Sequence, residues 1–121
     1  MSDGPPMPLS YVTLFCRDME ASVRFYRDVL GLPARGFGPR FAWLDAGPVR
    51  LGLHAGGQDR HSSGVNLHFA VPDLGTALAV LAARGAHFEG EPTEEPWGAR
   101  TARTRDPDGN EVEIIQWTRE P

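Results

Sequence analysis

A chain of 121 residues with a 40% hydrophobic fraction is long enough to bury one core without disulfides. Its formal net charge of -4 gives no basic footprint for a nucleic acid, and its single cysteine, Cys16, excludes an internal disulfide. No apolar run approaches the roughly 18 residues of a membrane span. Residues 1–8 carry prolines but neither a basic nor an apolar stretch, so they read as a flexible tail and the expected compartment is the cytoplasm.

Leu9 to Cys16 has the pattern of a strand. Asp18 then caps a helix whose apolar positions Met19, Val23, Tyr26 and Leu30 recur at helical spacing, and Gly31 ends it. Phe41–Asp45 and Val49–His54 read as strands joined by the turn Ala46-Gly47-Pro48. Past the polar, glycine-rich residues 55–63 the order begins again: a strand at Val65–Val71, a helix capped by Asp73 with Leu74, Leu78 and Leu81 on one face, and a stop at Gly85. Strands are then expected around His87–Glu89, at Ala99–Arg105 and at Glu111–Trp117, the last two joined by Asp106-Pro107-Asp108-Gly109-Asn110. Each half therefore reads β-α-β-β-β, an internal repeat in which Asp18 aligns with Asp73, Tyr11 with Asn66 and Gly52 with Glu113.

Period-two alternation sorts the strand faces. Val12, Leu14, Cys16, Leu51, Leu53, Val65, Leu67, Phe69, Val71, Val112 and Ile114 form an apolar set to pack under the helices. The opposite face holds Tyr11, Thr13, Phe15, Gly52, His54, Asn66, His68, Ala70, Glu113, Ile115 and Trp117, an aromatic and polar lining suited to a cleft. Glu113 is the carboxylate on that face, and Tyr11 is one candidate to satisfy it by a phenolic hydrogen bond. The serines have no accompanying base or elbow, and no glycine-rich phosphate loop precedes a helix, which leaves nucleophilic and nucleotide chemistry unsupported.

The two modules, the passage Tyr11-Val-Thr-Leu-Phe-Cys-Arg-Asp-Met-Glu20, the following Phe25-Tyr26-Arg-Asp-Val-Leu-Gly-Leu32 and the terminal Asp106-Pro-Asp-Gly-Asn-Glu-Val-Glu113 resemble the vicinal oxygen chelate superfamily. That superfamily includes glyoxalase I, extradiol dioxygenases, fosfomycin-resistance enzymes and bleomycin-resistance proteins. The resemblance implies an α+β fold in which two βαβββ modules form a curved mixed sheet around a cleft, with the helices on the outer face. It also implies one domain over residues 9–121: module one at 9–54, a connector at 55–63 and module two at 64–118.

Metal-dependent members place ligands where this chain has Tyr11, Gly52, Asn66 and Glu113. Only Glu113 keeps a donor of the usual kind, so the resemblance implies no bound metal and no other cofactor. A shifted set of His54, His68 and Glu113 is the fallback for a metal-dependent lyase, thiol transferase or dioxygenase. Two residues along a strand is about 6.5 Å, however, more than a side chain absorbs while keeping ligand distances near 2.1 Å.

The stretch Glu94-Glu95-Pro96-Trp97-Gly98 resembles that of bleomycin-resistance proteins, whose Trp helps sandwich a flat drug in a cleft between two subunits. On that resemblance the expected function is the sequestration of an aromatic or cationic antibiotic or metabolite by a homodimer. Trp97, Tyr11, Phe15, Trp43, His54, Asn66, His68 and Glu113 would contact the small organic ligand, with no nucleic-acid or membrane partner. A metal-free enzyme using Glu113 or a cleft histidine as general base is the third expectation.

Overall fold

Asp18 and Asp73 open the two helices by accepting hydrogen bonds from the first-turn backbone, Asp18 from the Ala21 N–H at 3.1 Å and Asp73 from the Thr76 N–H at 2.9 Å. In the computed structural model, which describes residues 4–57 and 59–119, these caps start α1 (Met19–Val23) and α2 (Leu74–Ala83). The first helix continues as a wider π-type segment, Arg24–Val29. Gly31 (φ 85°) and Gly85 (φ 104°) stand just past the helix ends in the left-handed region that side chains resist.

The strands are β1 (Tyr11–Cys16), β2 (Ala34–Phe37), β3 (Phe41–Ala46), β4 (Val49–Ala55), β5 (Asn66–Ala70), β6 (Thr93–Glu95), β7 (Ala99–Arg105) and β8 (Glu111–Trp117). They form two mixed four-stranded sheets, ordered β1-β4-β3-β2 and β5-β8-β7-β6. In each sheet the first strand runs parallel to the last and the other pairs are antiparallel. This is the expected pair of βαβββ modules.

The strand expected around His87–Glu89 does not form. That segment touches β7 through the Glu89 N–H on the Arg103 carbonyl at 2.8 Å and the Thr104 hydroxyl on the His87 carbonyl at 2.6 Å. The second strand of module two is instead β6, pairing Thr93 with Thr101 and Glu95 with Ala99. The tight turn Pro96-Trp97-Gly98 brings β6 onto β7 at little loop cost, and a local hairpin of this kind outcompetes a more distant segment. In module one, β2 pairs with β3 through a register shift at Gly36, and this irregular edge escaped the alternation pattern.

Leu14, Cys16, Leu51, Leu53, Val112 and Ile114 from the sheets meet Val23, Tyr26, Leu74 and Leu81 from the helices in one buried cluster spanning both modules. Each fully buried leucine contributes about 2 kcal/mol of transfer free energy. The turn Asp106–Asn110 adds a polar knot. Asp106 accepts from the Tyr26 hydroxyl at 2.6 Å, the Asn110 side-chain amide at 2.9 Å and the backbone N–H groups of Asp108 and Asn110 at 2.9 and 2.8 Å. Asp108 accepts from the Arg17 backbone and guanidinium, and Asn110 ties Ser62 to Val65. A turn of module two thereby clamps the helix and first strand of module one.

Candidate functional site

The repeat is visible in the ladders. Thr13 faces Gly52 as His68 faces Glu113, and Trp43 faces Gly52 as Arg103 faces Glu113. Position for position, module one carries Trp43, Arg50 and Gly52 where module two carries Arg103, Glu111 and Glu113. The same scaffold therefore presents two chemically opposite surfaces.

In module two Glu113 is only 8% exposed. One of its oxygens lies 3.1 Å from His68 Nδ1 and the other 3.3 Å from an Arg103 guanidinium nitrogen, while Arg103 Nε reaches Glu111 at 2.9 Å. Glu113 is thus satisfied by His68 and Arg103, and Tyr11, the phenol considered for that task, lies elsewhere. Arg103 is the Glu113 partner that the sequence reading did not single out. Trp97, on the β6–β7 turn, packs 5.4 Å from Trp117, and both indoles remain largely exposed. Asn66 sits exposed at the start of β5, opposite Glu111.

In module one a chain of rings crosses the sheet. Tyr11 lies 6.1 Å from Trp43, Trp43 lies 6.2 Å from Phe41, and His54 lies 6.5 Å from Phe41 and 6.0 Å from Phe15. A Cβ built on Gly52 would meet the Thr13 hydroxyl tightly at 3.3 Å and Trp43 Cδ1 at an ordinary packing distance of 3.6 Å, so the indole borders this position. Among the described residues no ring contact or ion pair joins this aromatic set to the His68–Glu113–Arg103 set. The eight expected site residues thus fall into two groups within one chain: Tyr11, Phe15, Trp43 and His54 on one sheet, and Asn66, His68, Trp97 and Glu113 on the other.

A family model described as the Glyoxalase/Bleomycin resistance protein/Dioxygenase superfamily matches residues 9–114. The chain belongs to this superfamily. YraH, an uncharacterised protein of Bacillus subtilis (strain 168), is 32% identical over 126 residues, covering 91% of this chain and 98% of its own. A solved superfamily protein from Nocardioides superposes with a TM-score of 0.79 at 26% identity, over 99% of this chain and 89% of that one. A lactoylglutathione lyase from Agrobacterium tumefaciens shares the fold with a TM-score of 0.75 at 24% identity, over 93% of this chain and 95% of that one.

The metal that many superfamily members hold does not fit this donor set. Glu113 is already paired with a guanidinium, whose fixed positive charge opposes a divalent ion at the same carboxylate. Gly52 supplies no donor, and its nearest side-chain neighbours are the Thr13 hydroxyl and the Trp43 ring. His54 stands among Phe15 and Phe41, and among the described residues no group of three or more His, Cys, Asp or Glu is placed to hold a metal ion.

Two titratable groups lie outside the cleft. Burial pushes the Cys16 thiol up from its ordinary value, which makes it a core group and a poor nucleophile. Burial, reinforced by the neighbouring Asp106 carboxylate, holds the Tyr26 phenol protonated far above its usual range. No helix among the described residues is long and apolar enough to cross a membrane.

Proposed function

We propose that this superfamily member is a metal-independent binding protein of the bleomycin-resistance type, which sequesters a planar organic antibiotic or metabolite between aromatic walls. The observation that carries the reading is the double replacement at equivalent positions of the repeat. Trp43 stands opposite the donorless Gly52 in one module, and Arg103 is paired with Glu113 in the other. A surface built this way favours stacking over coordination.

The separation of the two cleft-lining groups within one chain supports a homodimer in which the aromatic sheet of one copy faces the Trp97–Trp117 end of the other. A free, buried Cys16 is compatible with a reducing compartment and hence with the cytoplasm. The test is a calorimetric and thermal-shift screen of planar aromatic molecules against the wild-type protein and the Trp97→Ala and Trp43→Ala variants. Saturable binding weakened about tenfold or more by either substitution supports the reading; affinity indifferent to both would refute it.

One observation favours a second reading. His68 Nδ1 faces the Glu113 carboxylate at 3.1 Å on a half-exposed ring, which leaves Nε2 free to take a proton from a bound molecule. Turnover of a bound molecule that vanishes in Glu113→Gln while affinity survives would mark this dyad as a general base and the protein as a metal-free enzyme.

A further inference from the structure

The molecule carries two stacked guanidiniums on the same sheet face. Arg50 alternates with Gly52 and His54 along β4, and its guanidinium carbon stands 5.9 Å from the centre of the Trp43 ring. Arg60, from the connector between the modules, stands 3.8 Å from the centre of the Phe15 ring, beside His54. Among the described residues neither arginine has a carboxylate within ion-pair distance. Asp45 faces Arg50 across the β3–β4 pair, but its carboxylate is engaged by Arg35.

This face is also hollow. A cavity of about 600 Å³ is lined by Arg35, Gly36, Phe41, Trp43, Arg50 and His54, and no carboxylate borders it. Arg50 and Trp43 also border a second hollow of about 530 Å³ beside Tyr11. Flat rings beside a cation with unspent hydrogen-bond donors complement a flat ligand that ends in an anion. In the other module both acidic groups, Glu111 and Glu113, are already engaged by Arg103, so neither carboxylate faces the cleft unpaired.

We infer that the ligand of this cleft is a planar aromatic anion, a carboxylate, sulfonate or phosphate ester, whose rings stack on Trp43 and Phe41 and whose charge meets Arg50. The inference rests on the binding reading above; it keeps the aromatic half of the expected aromatic or cationic ligand and replaces the cationic half with an anion. The net charge of -4 does not oppose it, because the local field of a cleft is set by the groups that line it.

The experiment is isothermal calorimetry with two probes of the same shape and opposite charge, naphthoate and naphthylmethylammonium, on the wild-type protein and on Arg50→Gln and Arg50→Lys. Naphthoate is expected to bind at least about tenfold more tightly than the ammonium probe. It should weaken about tenfold in Arg50→Gln, with part of the loss restored in Arg50→Lys. Tighter binding of the ammonium probe would overturn the charge assignment and leave the binding reading intact. Binding of neither probe would overturn both. An Arg50→Gln protein that changes its oligomeric state but keeps its naphthoate affinity would reassign the face to contact between copies. The melting temperature of each variant controls for folding.

Discussion

Arg103 determines what Glu113 can do. A nearly buried carboxylate needs compensation, and a guanidinium and an imidazole provide it without an ion. Because His68 and Arg103 are both about half exposed, the pair energies are screened, and Glu113→Gln is expected to change stability by less than about 1 kcal/mol in chemical denaturation. Tyr26 is the opposite case, since its hydroxyl is one of the four donors on a buried Asp106. Tyr26→Phe removes that donor and is expected to cost about 1–3 kcal/mol at neutral pH. The sign of the pH effect follows from the raised phenol. The unfolded chain releases this proton above about pH 10 and the native chain does not, so the contribution is complete below that value and is lost as pH rises beyond it. Denaturation measured against pH should show a shallower alkaline decline in Tyr26→Phe than in the wild type. Glu113 was legible from alternation alone. Arg103 was legible too, because a hairpin closed by Asp106–Asn110 sets Arg105 opposite Glu111 and therefore Arg103 opposite Glu113. What alternation does not supply is the rotamer by which a long side chain chooses among neighbours, and that is why Tyr11 also stood as a partner for Glu113.

At the scale of elements, the Asp106–Asn110 turn does more than reverse the chain. Its three polar side chains are buried and reach Tyr26 in the π-type segment, Arg17 just past β1, Ser62 in the connector and Val65 just before β5. Asp106→Asn would turn an amide donor toward the Tyr26 hydroxyl and the Asn110 amide. It should cost about 3 kcal/mol in equilibrium unfolding, as much as or more than Tyr26→Phe. A sequence reading finds the turn from its composition, but the distant partners of its carboxylates depend on how the modules pack. The helix boundaries were readable because Asp18, Asp73, Gly31 and Gly85 each carry a local physical requirement. The β6 strand was not, because Thr93-Glu94-Glu95 has no apolar alternation and is held by backbone pairing to β7. The β2 edge, with its shifted register, was hidden for a related reason.

For the whole molecule, the repeat made the fold legible, and its divergence carries the functional proposal. All twelve cationic side chains are arginine and none is lysine, which removes Schiff-base chemistry and supplies flat guanidiniums able to stack. The proposed homodimer brings two unlike surfaces together, the aromatic sheet of one copy and the Trp97–Trp117 end of the other. Sedimentation should accordingly find a dimer whose Trp43 and Trp97 fluorescence both respond to a bound planar ligand.

The most direct test of the central claim is elemental analysis of protein equilibrated with zinc, manganese, nickel and iron(II) and then desalted. With Glu113 held by Arg103 and no donor at Gly52, retained metal should be far below one ion per chain and the same in Glu113→Gln. About one ion per chain, lost on Glu113→Gln or His68→Ala, would contradict the account and return the cleft to metal-dependent chemistry.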